Sequence, residues 1–267
     1  MEEIQKKRKG LIKKICAGIQ PGANGYYKPL GNKMLIFNDQ YKFLYCKVPK
    51  VAGTSWRRVL LVLTGVLNST AKVPGFNVYQ QNYPSISQYK NNRRNYTSFV
   101  FVRHPFHRLL SAYRNKLEKT VPLGFEKIAK QIISQYRHNT SFDNTNSEAN
   151  VSFPEFIQFL LNFKSKSNLN KHYDFQHKCC AVCEYSYDFI GHFENIVEES
   201  NYLLHSLGIT RVSFPEHDVY DHATNSTNNT TYMKYYSQVP SRDIIELYKL
   251  YEMDFKLFGY PFPKELV

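Results

Sequence analysis

The stretch Tyr45-Cys46-Lys47-Val48-Pro49-Lys50-Val51-Ala52-Gly53-Thr54-Ser55-Trp56-Arg57-Arg58 constrains the fold more than any other part of the chain. The apolar run Phe43 to Val48 has the length and content of a buried strand, and Trp56, Val59, Leu60 and Leu63 then recur with the period of one helix face. A strand that turns through small residues into a helix leaves backbone N–H groups unpaired at the helix N-terminus, a geometry that receives a phosphate-like anion. Lys50 adds a positive charge beside it.

The order of residues in that turn is informative. An ATP- or GTP-binding loop requires Gly, four residues, then Gly-Lys-Ser/Thr. Here Lys50 stands before Gly53, the single glycine of the stretch, so that loop is excluded and a magnesium-dependent kinase is disfavoured with it. The order Pro-Lys-x-x-Gly-Thr-Ser-Trp instead resembles the 5′-phosphosulfate loop of sulfotransferases, which use 3′-phosphoadenylyl sulfate (PAPS). The resemblance implies that Lys50, Val51, Ala52, Gly53, Thr54 and Ser55 bind the 5′ end of that co-substrate. Local chemistry alone leaves a second explanation open, a helix N-capped by Thr54 or Ser55 with no ligand.

A second segment follows about fifty residues on. Thr97 to Val102 is a short apolar run with the character of a central strand, and it ends in Arg103-His104-Pro105-Phe106-His107-Arg108-Leu109-Leu110-Ser111-Ala112-Tyr113-Arg114-Asn115-Lys116, where Pro105 suits the first turn of a helix. This pattern resembles the 3′-phosphate segment of the Golgi carbohydrate sulfotransferases, nearest to the chondroitin, dermatan and N-acetylgalactosamine 4-O-sulfotransferase group. By that likeness Arg103 and Ser111 hold the 3′-phosphate, one through a charged fork and the other through a hydroxyl.

Further elements of the same family resemblance come in order. They are Asn170-Lys171-His172-Tyr173, Cys180-Ala181-Val182-Cys183, and Tyr187-Asp188-Phe189-Ile190-Gly191-His192-Phe193-Glu194-Asn195, with Leu247 to Phe255 and Phe258-Gly259-Tyr260 near the C-terminus. The chain departs from the family pattern at Tyr173, where tryptophan is common, at His192 and Asn195, and in the extra Cys179. The likeness runs over roughly residues 10 to 262.

Composition narrows the partners. A net charge of +13 favours polyanions, whether nucleic acid, anionic membrane or a sulfated or uronate-bearing polysaccharide. Asn-x-Ser/Thr occurs at Asn68, Asn95, Asn139, Asn150, Asn225, Asn228 and Asn229, which together favour the secretory lumen and disfavour a nuclear, nucleic-acid-binding role. The five cysteines Cys16, Cys46, Cys179, Cys180 and Cys183 make a poor zinc set, with one Cys-x-x-Cys and no matching second pair. Disulfides of undetermined pairing fit a lumenal chain better, and an odd count leaves a cysteine outside any intrachain pairs. No run reaches the ~20 apolar residues that span a bilayer, and Met1 to Lys14 lacks the apolar core of a signal peptide. The expectation is a Golgi lumenal protein whose membrane association, in a full-length form, uses an anchor absent from this chain.

Periodicity predicts a basic amphipathic helix or solvated stem in the first 20 residues and a loop to residue 33. It predicts a hairpin of Met34–Phe37 and Tyr41–Val48, a strand over Tyr187–Phe193, and helices from Phe153, over Glu198–Leu207 and over Ser241–Phe258. Residues 68–96 read as a polar excursion, and residues 120–150 and 210–232 as polar surface segments. The expected fold is α/β, a P-loop-type three-layer sandwich with a central parallel sheet, organised as a stem and loop (1–33) and one catalytic domain (34–267).

Sulfuryl transfer demands a grip on both ends of the nucleotide, a cation at the bridging oxygen, and a base for the acceptor hydroxyl. Lys50 is the candidate cation. His172 is the candidate base, since it matches the family's Asn-x-His-Trp histidine, with Glu184, Asp188, His192 and Glu194 as competitors. The scheme calls for no metal. The resemblance implies transfer to a glycan hydroxyl, foremost N-acetylgalactosamine O-4 of chondroitin or dermatan, then a glucuronyl 3-O acceptor. Arg57, Arg58, Arg93, Arg94, Arg114 and Lys116 are candidates to line a groove for the anionic glycosaminoglycan. A non-catalytic glycosaminoglycan-binding protein is the rival outside the enzyme class.

Overall fold

The computed structural model describes residues 1–19, 34–71, 95–119, 121–137, 150–163, 169–216 and 224–267. Gln20, the predicted loop 21–33, most of the 68–96 excursion with Arg93 and Arg94, and Asn139 lie outside them. In chain order the elements are α1 (Glu2–Ala17), β1 (Leu35–Asn38), β2 (Phe43–Cys46), α2 (Gly53–Leu63), β3 (Thr97–Val102), α3 (Pro105–Lys116), α4 (Glu126–Tyr136), α5 (Phe153–Asn162), α6 (Gln176–Cys179), β4 (Phe189–His192), α7 (Ile196–Ser206), α8 (Asn229–Tyr236) and α9 (Ser241–Phe258). They fall into two compact units. The first comprises Met1–His104, Asp174–Ala223 and Lys256–Gly259; the second comprises Pro105–Tyr173, Thr224–Phe255 and Tyr260–Val267.

The first unit is built on a four-stranded sheet of order β1-β2-β3-β4. β1 and β2 form the predicted hairpin, antiparallel, and β2, β3 and β4 run parallel. The fold is therefore α/β with a mixed sheet in which three of the four strands, β2, β3 and β4, are parallel. Side chains alternate across a strand, and the register places Tyr45, Phe99 and Phe189 in one row across the sheet. Tyr45 and Phe99 stack at 4.8 Å between ring centroids, and Trp56 of α2 packs on Tyr45, Phe99 and Phe101 at 5.0–5.4 Å. Gly191, the β4 partner of Phe101, is required by that packing: a Cβ there would stand 2.1 Å from the Phe101 ring.

The outer edge of β4 is completed by α1. Gln5 accepts from the Ile190 N–H (2.8 Å) and donates to the Ile190 carbonyl (3.0 Å), so one side-chain amide does the work of a neighbouring strand. Arg8 adds a bond to the same carbonyl and a two-point ion pair with Glu199 of α7, whose carboxylate also accepts from the His192 N–H. Disulfide Cys16–Cys183 holds the far end of α1. Of the two readings of this segment, helix or solvated stem, the helix is the one that forms, over Glu2–Ala17, and it belongs to the first unit.

The second unit is helical and its interior is aromatic. Phe106 stacks on Tyr236 at 5.2 Å and meets Phe255 edge-on; Phe153 lies against Tyr113 and Tyr236. Two phenols in this interior find backbone acceptors, Tyr113 at Val151 and Tyr236 at Phe106, as buried hydroxyls require. Helix α5 begins as its sequence predicts: Ser152 accepts from the Glu155 N–H, and Glu155 accepts in return from the Ser152 N–H.

Two expectations need correction. The 120–150 segment contains helix α4, which buries Ala129, Ile132 and Ile133. The 210–232 segment gives way to α8 at Asn229, capped by the Asn228 side chain. In both cases a few apolar or aromatic residues set in polar sequence secure the helix through packing, which composition underweights.

Candidate active site

In the first unit the parallel strands β2, β3 and β4 end at Cys46, Val102 and His192. Segments leaving the carboxyl ends of parallel strands converge on one edge of the sheet, where α/β proteins bind ligands. Here those segments are the Lys47–Ala52 turn, Arg103–His104, and the 3-10 turn Phe193–Asn195.

The first of them is strained. Lys50 has φ of 70° and Ala52 has φ of 49°, left-handed values that L side chains seldom adopt, on either side of Val51, which is fully buried. Such conformations cost on the order of 1–3 kcal/mol each, and alternation of hand along the backbone aims successive N–H groups into a concavity. Helix α2 starts directly afterwards with Ala52 as N-cap and no side-chain cap bond. Thr54 and Ser55 sit inside the first turn, so the alternative of a helix capped by either one is not what forms. The site offers an anion a helix N-terminus that no side chain caps, beside the half-buried Lys50.

Arg103 is 4% exposed and fixed on several sides. Its guanidinium donates to the Lys50 carbonyl at 3.1 Å and lies over the Phe193 ring, 3.9 Å from the centroid. Its N–H donates to Gln176 Oε1 (2.9 Å) and its carbonyl accepts from Gln176 Nε2 (2.7 Å). The next N–H, that of His104, donates to Glu194 at 2.9 Å. The structure therefore joins two sequence-predicted site residues, Lys50 and Arg103, directly.

The second unit carries the others. Ser111 on α3 is buried and accepts from the Thr224 hydroxyl at 3.0 Å, which leaves its own proton for a further acceptor. His172 is half-buried, with its N–H on the Asn170 side chain (3.1 Å) and its ring edge-on to Phe125. Phe125 also underlies the Lys116 ammonium, 5.4 Å from the ring centroid. Burial, then the charge of nearby Lys171, pushes the Lys116 pKa down. Arg108 of α3 donates to the Lys171 carbonyl. Cations of this kind suit an anionic substituent.

The competing bases differ in placement. Asp188 stands before β4, at the sheet end remote from the candidate site, and accepts two bonds from Ser98. His192 has its pKa lowered to about 3 by burial and by the Arg8 charge, which keeps the ring neutral. Glu184 is exposed on the loop before β4, and Glu194 is engaged by His104.

Cysteine pairing resolves as Cys16–Cys183 and Cys46–Cys180, with buried Cys179 in neither. The two cysteines of Cys-x-x-Cys are thus used separately. Among the described residues no group of His, Cys, Asp and Glu is arranged to hold a metal, and no helix is long and apolar enough to cross a membrane. The described sequon residues Asn68, Asn95, Asn150, Asn225, Asn228 and Asn229 are all exposed.

A mixed sheet whose β2 turn, leading into a helix N-terminus that no side chain caps, meets the arginine after β3 defines a group-transfer enzyme of the sulfotransferase fold. Comparison with known proteins agrees. Residues 33–261 match the model described as "Sulfotransferase family". The chain is similar to carbohydrate sulfotransferase 14 of Danio rerio (34% identity over 97% of this chain and 72% of the relative). It is also similar to carbohydrate sulfotransferase 12 of Mus musculus (32%, over 98% and 70%) and carbohydrate sulfotransferase 8 of Mus musculus (30%, over 98% and 65%). No solved structure gives a significant match. The chain belongs to the sulfotransferase family, in its carbohydrate branch, whose co-substrate is PAPS. It spans about two thirds of the length of these relatives, 65–72%.

Gln176 and Phe193 are the site residues that sequence reasoning missed. Gln176 precedes the Cys179-Cys180 pair with no motif around it, and its partner Arg103 is 73 positions away. Phe193 lies inside the family-like run Tyr187–Asn195, where sequence marks it only as the end of a strand.

Proposed function

We propose that this chain transfers the sulfuryl group of PAPS to a hydroxyl of an anionic glycan, foremost O-4 of N-acetylgalactosamine in chondroitin or dermatan, in the Golgi lumen. The observation that carries the proposal is the Arg103–Lys50 bond, which brings both nucleotide segments of the first unit to the carboxyl edge of the parallel strands. Two disulfides and the exposed sequons support a lumenal setting.

In this scheme the N–H groups of the Val51–Ser55 turn and helix start hold the 5′-phosphate, and Arg103 with Ser111 holds the 3′-phosphate. Lys50 stabilises the negative charge that builds on the leaving phosphate, a contribution of the kind worth about 100- to 1000-fold in rate. His172 takes the acceptor proton, and Lys116 and Lys171 beside it attract the acceptor's carboxylates or sulfates.

The test offers labelled PAPS with desulfated chondroitin, desulfated dermatan and glucuronyl-terminated oligosaccharides to the wild type and to Lys50→Ala. Label on O-4 of N-acetylgalactosamine, lost in the variant, is the expected result. Label on the glucuronyl acceptor alone replaces the acceptor assignment, and label on no glycan, or undiminished in Lys50→Ala, removes the mechanism.

A further inference from the structure

The β2–β3 ladder ends at the pair Cys46 and Val100, and β3 stays paired with β4 through Val102. The peptide groups of the residue after β3 therefore lack the ladder partner that β2 supplied further back. The short helix α6 fills the gap. It is stapled to the end of β2 by disulfide Cys46–Cys180, with Cys46 Sγ 3.9 Å from the Cys179 carbonyl oxygen. Its first residue, Gln176, is 0% exposed and turns both amide atoms to Arg103, accepting from its N–H and donating to its carbonyl. A side-chain amide with one donor and one acceptor in this arrangement imitates a strand residue. On the other side Glu194 holds the His104 N–H and Phe193 floors the guanidinium. The backbone of Arg103 is thus gripped by Gln176, while its guanidinium spans from Phe193 to the Lys50 carbonyl.

We infer that Gln176 is a positioning residue for the donor's 3′-phosphate: acting through Arg103, and itself held by the Cys46–Cys180 staple, it fixes the direction in which the guanidinium points. The inference rests on the assignment of Arg103 to the 3′-phosphate made above. An arginine whose backbone is clamped loses less freedom when it binds a phosphate, so the clamp contributes to affinity for that group alone. A merely structural role would weaken every ligand of the site alike.

Two ligands separate these possibilities: adenosine 3′,5′-bisphosphate, and adenosine 5′-monophosphate, which lacks the 3′ group. Affinities are measured by titration calorimetry on the wild type, Arg103→Ala, Gln176→Met, Gln176→Ala and the Arg103→Ala/Gln176→Met double variant. Gln176→Met keeps the side-chain volume and removes both hydrogen bonds, which protects against simple misfolding. The expected result is an approximately tenfold loss of bisphosphate affinity in Gln176→Met, the scale of two lost hydrogen bonds, with monophosphate binding within about twofold of wild type. In the double variant, affinity should be no lower than in Arg103→Ala alone. If Arg103→Ala loses the bisphosphate and Gln176→Met does not, the inference is overturned while the Arg103 assignment stands. Equal losses for the two ligands make Gln176 structural and overturn it as well. If Arg103→Ala binds the bisphosphate normally, the assignment beneath the inference is what has failed.

Discussion

The two units use polar groups in opposite ways. In the first, side-chain amides and carboxylates replace missing strand partners: Gln5 along Ile190, Gln176 along Arg103, Glu194 on His104. Its two disulfides tie α1 and α6 to that framework. In the second, hydrogen bonds satisfy hydroxyls inside an aromatic interior, cap helix starts and link charged side chains such as Arg137 and Glu155, and no disulfide joins its described residues. The contrast teaches where positional accuracy is kept. The unit with the Lys50 turn holds individual backbone atoms in place, whereas the unit with His172 and Lys116 holds rings against one another.

The largest effect that would break this contrast lies in the first unit's core. Trp56→Ala empties the site where α2 meets β2 and β3, and should cost about 3–5 kcal/mol in chemical denaturation. A cost near that of a surface substitution would mean that the aromatic row does not carry the sheet.

Next comes redox state. Reduction should destabilise the first unit by roughly 2–4 kcal/mol per bridge and leave the second, followed by hydrogen exchange at α5 and α8, nearly unchanged. Equal loss of protection in both units would contradict their different construction.

The smallest effect is on pH dependence. Burial and then Arg8 hold the His192 pKa near 3, below its unfolded value of about 6.5. Between those values the unfolded chain binds the proton and the folded one does not, so His192 makes stability fall as pH drops below about 6.5. His192→Phe should flatten that slope in melts from pH 7 to 5. Glu155 behaves differently in the second unit: burial opposes its charge, yet the bonds from Arg137 and Ser152 prevail and lower its pKa. Its contribution is complete above the unfolded carboxylate pKa of about 4.3 and is lost only on further acidification through the folded value, so Glu155→Gln should leave the pH 7 to 5 slope alone. A slope that responds to Glu155→Gln and not to His192→Phe would reverse the assignment.

Much of this architecture was legible in the sequence. β3 and α9 fall where the apolar periods place them, the Ser152-x-x-Glu155 signature forms its box, and the β1–β2 hairpin forms as expected, although its turn is 39–42 because Asn38 still pairs with Phe43 as the last residue of β1. Lys50 and Arg103, read from motifs on separate strands, meet at 3.1 Å because both follow parallel neighbours. What escaped depends on distant partners. Gln5 and Gln176 look like ordinary polar residues until a strand edge 185 or a backbone 73 positions away gives them a role. The pairing of Cys46 with Cys180 rather than with its other neighbours is likewise set by where α6 docks. Helices α4 and α8 were hidden by polar composition around a few packing residues.

Central to the proposal is that the Lys50 turn and Arg103 serve opposite ends of one bisphosphorylated adenosine. A crystal structure with adenosine 3′,5′-bisphosphate tests this most directly. The 5′-phosphate is expected on the N–H groups of Val51 to Ser55 beside Lys50, and the 3′-phosphate within hydrogen-bond distance of the Arg103 guanidinium. A nucleotide bound elsewhere, or bound here with its 3′-phosphate turned away from Arg103, would contradict it.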